Sequence, residues 1–557
     1  MKTRIYQLFV RHFGNLNTTG EVDGSIEKNG CGKFEDITDE ALFEIKKLGF
    51  SHIWLTGVLE HASGTSYPNR PADDAKILKG VAGSPYAVRD YFDVSPDLAV
   101  NVDKRLDEFK ELVTRCNGAG LRVLIDFIPN HVSRSYESDV KPDLSFGRND
   151  DHHQFCSVDN HFYYLQGDQS LRLPEGEYLK EKHPLVTGNN AATHTPSKND
   201  WYETVKLNYG YDFTKDEKLF KDDVIPDTWV LMDSIISYWQ ELGVDGFRCD
   251  MAHMVPMEFW KWAVDKARDR YPHVYFLGEA YDGDPMKVTT GNVLNELLAS
   301  GFDEVYDSLS YDIVKGIYEN GKWANDLDEI LWDSQRLHSM TRYAENHDEV
   351  RIASPLNWGG NGADIGMPVS AYLFGIGAGG CLLYNGQEVG EKALGEKGFS
   401  KDDGKTSIFD YVVLPALQKW VNNHEYDGVG LSDQQLELRE WYGKWFKVIR
   451  EPAFTHGKTY GLNSFNADNV NYGRLDNENV SGHWLYSYLR YDKKTDQAYL
   501  VAINFHPTES MHDIDIWFSE DARTWLNDYV YESMQLEKLN PCEVMTYCMK
   551  PEKSLEK

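Results

Sequence analysis

The chain has 557 residues, 41% of them hydrophobic and 13% aromatic, which is too long for one ordinary core and predicts two or three domains. Its formal net charge of −32 excludes a nucleic-acid partner, which needs a basic stripe, and disfavours an anionic membrane surface. Seven scattered Cys rule out a complete disulfide framework, and no CxxC pair or Cys/His zinc spacing occurs.

Met1-Lys2-Thr3-Arg4 runs straight into a strand-like stretch at 5–10 without a signal-peptide core. With the cysteine pattern, this predicts a cytoplasmic, soluble protein. Residues 52–55 read as a short buried strand. Leu106, Phe109, Val113 and Cys116 then fall on one helical face, Gly118 and Gly120 end that helix, and 121–127 is a nearly continuous apolar strand. The unit repeats. Leu231, Ile235, Tyr238 and Leu242 mark a helix face, Gly243 closes it, 244–250 is a strand, and Pro256 suits the first turn of the next helix. Further strand-like runs lie at 274–279, 304–307, 342–344 and 381–384.

Strands that are apolar on both faces, separated by amphipathic helices, imply parallel pairing covered by helices. Their number suits a (β/α)8 TIM barrel better than an open sheet, although alternation alone does not separate the two. Two regions break the rhythm. Residues 132–206 are rich in Asp, Asn, His, Gly and Pro without a period, which is an insertion after the third strand. Beyond about 452, alternation at 483–491 and the single face formed by Tyr499, Val501, Ile503 and Phe505 predict a C-terminal antiparallel β-sandwich. The expected division is 1–131 and 207–452 for the barrel, 132–206 for the insertion and 453–557 for the sandwich. The apolar stretch at 369–384 is short and Gly-rich, so it is not read as a membrane span.

In such a barrel the functional residues stand at the C-terminal ends of the strands. The third strand ends in Asp126-Phe127-Ile128-Pro129-Asn130-His131, the fourth in Gly246-Phe247-Arg248-Cys249-Asp250, and the fifth in Phe276-Leu277-Gly278-Glu279. Near the seventh comes Glu345-Asn346-His347-Asp348. Arg248 and Asp250 are i and i+2 on a strand and point the same way. The cation is expected to keep Asp250 ionised, while desolvation at the end of an apolar run would keep Glu279 protonated. One ionised and one protonated carboxyl, with a third to stabilise a cationic transition state, is what glycoside cleavage with retention requires. A single strand-end acid is ordinarily a helix cap or a surface group. Four such ends in order are what makes the pattern specific.

These segments resemble the signature regions of the α-amylase family, glycoside hydrolase family 13. The stretch from Asp126 to His131 is similar to its first motif, 246–250 to its nucleophile motif, Glu279 to its general acid and 346–348 to its stabiliser motif. Residues 381–388 are similar to the end of its eighth strand, and 84–91 to the stretch whose Tyr stacks on the reacting sugar. The resemblance covers almost the whole chain, including the inserted B domain and the C-terminal β domain. It implies Asp250 as nucleophile, Glu279 as acid/base and Asp348 as stabiliser. Tyr86, His131, Arg248 and His347 would surround the sugar, with Asp126 in support. It also implies an oligo- or polysaccharide as the partner and a calcium ion as a candidate structural cofactor, with Asn130 as its ligand. Many relatives carry Lys-His at the third and fourth positions after the nucleophile, where this chain has His253 and Met254. That departure bears on the leaving-group side and on calcium. Hydrolysis of α-1,4-glucosidic bonds is the leading expectation. Glucosyl or maltosyl transfer and α-1,6 cleavage are alternatives on the same site, and a non-catalytic carbohydrate-binding scaffold is the reading from another class. The string 149–153, with His152 and His153, reads as a solvated loop.

Overall fold

The structure, a computed structural model, describes residues 2–174, 176–221, 224–288, 291–393, 402–476, 478–527, 529 and 531–550. Eight parallel strands form its centre: β1 (Arg4–Phe9), β2 (His52–Thr56), β3 (Arg122–Phe127), β4 (Gly246–Cys249), β5 (Tyr275–Gly278), β6 (Glu304–Tyr306), β7 (Met340–Tyr343) and β8 (Cys381–Tyr384). Each pairs with its neighbours in chain order, and β1 closes the ring on β8 with Arg4 opposite Cys381. Closure removes the alternative of an open sheet. It also explains the composition of the strands: β1, β2, β4 and β5 are buried at every position, one face inside the barrel and the other under helices.

The covering helices follow the apolar periodicity with corrections: Leu106, Leu231, Tyr238 and Leu242, each expected on a buried face, are only partly buried. In Arg105–Gly118 the buried stripe is Phe109, Leu112, Val113 and Cys116. In Asp227–Glu241 it is Trp229, Met232, Ile235, Ile236 and Trp239, while Leu231 and Tyr238 are only partly buried. That helix is apolar over most of its circumference, so spacing does not choose the face. The two indoles do, since Trp239 donates to Tyr91 O at 2.9 Å. Pro256 sits at the N-cap of Met257–Arg270, just outside the first turn.

Two excursions leave the C-terminal rim. After β2, strand Leu59–His61 pairs antiparallel with Val88–Val94 and carries the loop holding Tyr86 back over the barrel mouth. After β3, strand His131–Ser133 pairs with Thr204–Lys206, so the long insertion departs and returns at one point. It has its own small core of Tyr163, Leu165, Leu171, Leu173 and Val186.

The tail forms β9 (Lys458–Gly461), β10 (Leu485–Asp492), β11 (Gln497–Asn504), β12 (Met511–Trp517), β13 (Ser533–Leu539) and β14 (Val544–Met549). The antiparallel sheet β9-β10-β11-β14 and the hairpin β12-β13 enclose Leu485, Leu489, Leu500, Ala502, Ile514 and Ile516. The opposite face of the sheet, with Tyr486, Tyr488, Val501 and Ile503, joins the barrel's core. Because both faces are covered, β10 is buried throughout. Residues 551–557 of this unit lie outside the described residues. No helix among the described residues is long and apolar enough to cross a membrane.

Candidate active site

Strand register brings the first two carboxyls together. Cys249 pairs with Gly278 across β4 and β5, so Asp250 and Glu279, one residue further on, emerge side by side at the C-terminal rim. On the other edge of β4, Arg248 pairs with Asp126 of β3. Arg248 is fully buried, and its guanidinium serves three carboxyls. Nη1 donates to Asp250 Oδ1 at 2.7 Å and more distantly to Asp126 Oδ1 at 3.5 Å, and Nη2 lies 2.7 Å from Glu279 Oε2. The cation is boxed in by the rings of Trp54, Tyr86 and Tyr306, at 5.3, 5.4 and 5.7 Å from their centroids.

This sharing changes the expected electrostatics of Asp250. Burial and then repulsion from Glu279 drive its carboxyl well above the ordinary range, with Arg248 pulling against both. An exposed Arg–Asp pair would have lowered it. Here burial, and then the second carboxyl on the same guanidinium, outweighs the cation.

Asp348 is held differently. Its side chain is 48% exposed, in the segment that follows β7. Burial works to raise its pKa, but His347 and, behind it, Arg248 and Lys405 outweigh that and leave Asp348 below the ordinary carboxylate range. His347 Nε2 lies 3.0 Å from Asp348 Oδ2 and 2.6 Å from the Tyr86 hydroxyl. Gln7, from β1, approaches the other ring nitrogen, with its amide nitrogen 2.8 Å from Nδ1. An amide N–H donated there leaves the ring proton on Nε2, aimed at the carboxylate. The Tyr86 ring stacks on His347 at 5.3 Å and 22°.

Asp126 is a scaffold for these groups. Its carboxylate accepts from Trp54 Nε1 at 3.1 Å, Gly57 N at 3.3 Å and the Tyr86 hydroxyl at 3.3 Å, all closer than Arg248. His131 is buried beside the Tyr86 backbone. Burial first, then the neighbouring Lys206, brings its pKa down to about 3, so it is a neutral ring. All the expected sugar-contact residues thus meet around one mouth.

Asn130 does not meet its expectation as a metal ligand. Its side-chain oxygen accepts from the Lys206 ammonium, and its amide nitrogen donates to Gly188 O at 2.9 Å. Lys206 is buried, donates also to Met254 O at 3.0 Å, and has its pKa lowered to about 7 by burial. A dication at Asn130 would share its oxygen with this amine, so the residues present do not fit calcium there. Asp150, buried in the insertion, is also engaged. It accepts from the backbone N–H groups of His161 and Phe162 and from the Tyr164 hydroxyl, each at 3.0 Å. His152 stacks on His183 at 4.2 Å, and the described residues contain no group of three or more His, Cys, Asp or Glu arranged for a metal ion.

Sequence reasoning passed over Gln7, Trp54, Tyr306 and Tyr281. Tyr306 is the last residue of β6, and the rule that selected the acids would have found it had it been applied to aromatic strand ends. Gln7 and Trp54 lie inside β1 and β2, where that rule does not look. Tyr281 lies just past β5 and donates to Glu279 Oε1 at 3.2 Å.

The family model described as "Alpha amylase, catalytic domain" matches residues 7–409. Alpha-amylase MalA of Haloarcula japonica is 25% identical over 392 residues, 70% of this chain and 44% of that protein. An α-1,4-glucan:maltose-1-phosphate maltosyltransferase of Rhodospirillum rubrum is 21% identical over 490 residues, 86% of this chain and 55% of that protein. The chain therefore spans about half the length of these relatives. In fold it is similar to a cyclic α-maltosyl-(1→6)-maltose hydrolase from Arthrobacter globiformis, with a TM-score of 0.62 at 16% identity over 99% of each chain.

Proposed function

The chain belongs to the α-amylase family, whose catalytic-domain model spans residues 7–409, and from that premise we propose that it cleaves α-1,4-glucosidic bonds in maltooligosaccharides or starch-like glucans with retention. The observation that carries the reading is the single guanidinium of Arg248 gathering Asp250 and Glu279 at the rim, with Asp348 held by His347, whose ring stacks on Tyr86 beside that guanidinium.

A glucosyl ring stacked on Tyr86 presents its anomeric carbon to Asp250. Asp250 attacks that carbon while Glu279 gives its proton to the departing glycosidic oxygen, and a glycosyl ester forms on Asp250. Asp348, kept ionised by His347, faces the positive charge that develops on the ring. Glu279, now a carboxylate, takes a proton from the incoming hydroxyl, and the ester bond breaks with its electrons returning to Asp250.

Water and a sugar hydroxyl compete for the same ester. The maltosyltransferase of Rhodospirillum rubrum among the relatives keeps transfer as the second reading. Incubation with maltohexaose and sizing of the products separates the two. Hydrolysis gives only shorter chains and one new reducing end per cut. Transfer gives chains longer than six units, and no cleavage of any α-glucan would sink both readings. A cytoplasmic location is part of the proposal, supported by seven cysteines that are all unpaired. Fractionation of the source cells checks it.

At Asn130, on this reading, the Lys206 ammonium stands where a metal would and adds a side-chain tie to the pairing of 131–133 with 204–206. Dialysis against EDTA is expected to leave activity and melting temperature unchanged. Lys206→Met strands two carbonyl oxygens in a buried place, which costs about 2–5 kcal/mol of stability. One equivalent of calcium surviving gel filtration, or a melting temperature that falls in EDTA, would overturn this assignment.

A further inference from the structure

The two oxygens of Glu279 stand in unlike surroundings. Oε2 faces two groups that can only donate, the Met251 backbone N–H at 2.9 Å and Arg248 Nη2 at 2.7 Å. A proton on Oε2 would point into these donors. Oε1 meets the Tyr281 hydroxyl at 3.2 Å, a group that both donates and accepts.

The arrangement is built in by the backbone. Met251 adopts a left-handed conformation, with φ of 44°, which is uncommon for a residue with a side chain. This turn directs its N–H at Glu279, and the next residue, Ala252, donates its N–H to Glu279 O at 2.8 Å. Tyr281 is held by the segment that follows. Its ring meets the edge of His253 at 5.8 Å, and His253 in turn bonds Asp284 at 2.9 Å and receives Val288 N on its backbone oxygen at 3.0 Å. His253 is one of the two positions where the sequence departs from the common family pattern. Here it braces the loop behind Glu279.

We infer that Tyr281 is a positioning residue for proton transfer: it makes Oε1 the oxygen of Glu279 that carries the proton and steadies that oxygen once the proton has left. The inference rests on the glycosidase reading given above. In the first half-reaction the Oε1–H bond breaks, the proton joins the glycosidic oxygen, and the electron pair of the anomeric C–O bond stays with that oxygen. The Tyr281 O–H then donates to the bare Oε1. In the second half-reaction Oε1 recovers a proton from the attacking water or sugar hydroxyl.

The charged and titratable groups around Glu279 come from several elements. Arg248 and Asp250 face it from β4, and Tyr306 and Tyr343 from β6 and β7. Asp348 and His253 reach Tyr281. Burial and then the charge of Glu279 push the Tyr281 phenol well above its ordinary value, so it stays a donor across the working range.

The test is Tyr281→Phe, with the full chain and maltooligosaccharide as substrate. Losing a donor to the carboxylate raises the acid's pKa, so the basic limb of kcat/KM is expected to move up by about one pH unit. Ester formation from α-maltosyl fluoride, whose leaving group needs no proton, should keep its parental rate, while kcat on maltohexaose falls about tenfold. If the parent cleaves neither substrate, the glycosidase reading is what fails. If the parent is active and the variant's basic limb stays in place, the role given to Tyr281 is wrong. Should Tyr281→Phe not fold, fluorotyrosine at 281 preserves the shape. Its more acidic phenol is a stronger donor and should move the limb down, and an unmoved limb would again refute the role.

Discussion

Replacing Asp250 with Asn is expected to reduce kcat on maltooligosaccharides by a factor on the order of 10⁴–10⁶ and to leave the fold intact. The amide keeps the shape and can still accept from Arg248, so the loss isolates the nucleophile. It also removes an acid whose ionisation the fold disfavours. Burial and Glu279 raise the Asp250 pKa above its unfolded value. For a raised carboxyl, stability is fully present below the unfolded pKa and is lost as pH rises through the folded one. At neutral pH the parent bears that cost and the amide does not, so the variant's melting temperature should equal or exceed the parent's. Azide offered to Asp250→Gly should give a β-glycosyl azide from an α-fluoride, because one displacement inverts the centre. Near-parental activity of the Asn variant on every α-glucan that the parent cleaves would end the assignment of Asp250.

Glu279→Gln should lose about 10²–10⁴ in kcat on maltooligosaccharides, the usual contribution of a positioned general acid. With α-maltosyl fluoride the ester on Asp250 should still form quickly and then accumulate, because the amide cannot take a proton from water. Azide needs no deprotonation, so it should release the ester as an α-glycosyl azide after two inversions. The product's configuration distinguishes the two positions: β from the Asp250 variant and α from this one. A β product from Glu279→Gln, or equal damage on glucan and fluoride, would remove Glu279 from the proton-donor role. The variant's melting temperature should change little, because the oxygen of the new amide can still accept from the Met251 N–H, which in the parent sits on Glu279 Oε2 at 2.9 Å.

The pairing of β1 with β8 decided the barrel against an open sheet, while the sequence alone determined the alternating parallel strands and helices, the insertion, the C-terminal β unit and the strand-end positions of Asp250, Glu279 and Asp348. Those features rest on local signals: apolar runs of strand length, helical periodicity, turn residues, and polar groups at the ends of strands. Arg248 and Asp250 share a face because alternate residues of any strand do.

Only the tertiary structure decided how these residues are coupled. Gln7 reaches His347 across 340 positions because β1 closes the ring beside β8. Lys206 reaches Asn130 across 76 positions because strand 204–206 lies against strand 131–133, and that contact takes the oxygen expected to face calcium. The Arg248–Asp250 pair was legible as a pair, but its electrostatics were not. The sign of the Asp250 shift depends first on burial and then on the nearby charge of Glu279, which strand register brings to the same guanidinium. Spacing along a chain reports on neighbours within a turn or a strand. Desolvation and Coulomb forces act through space, on whatever the closed barrel brings within a few ångströms.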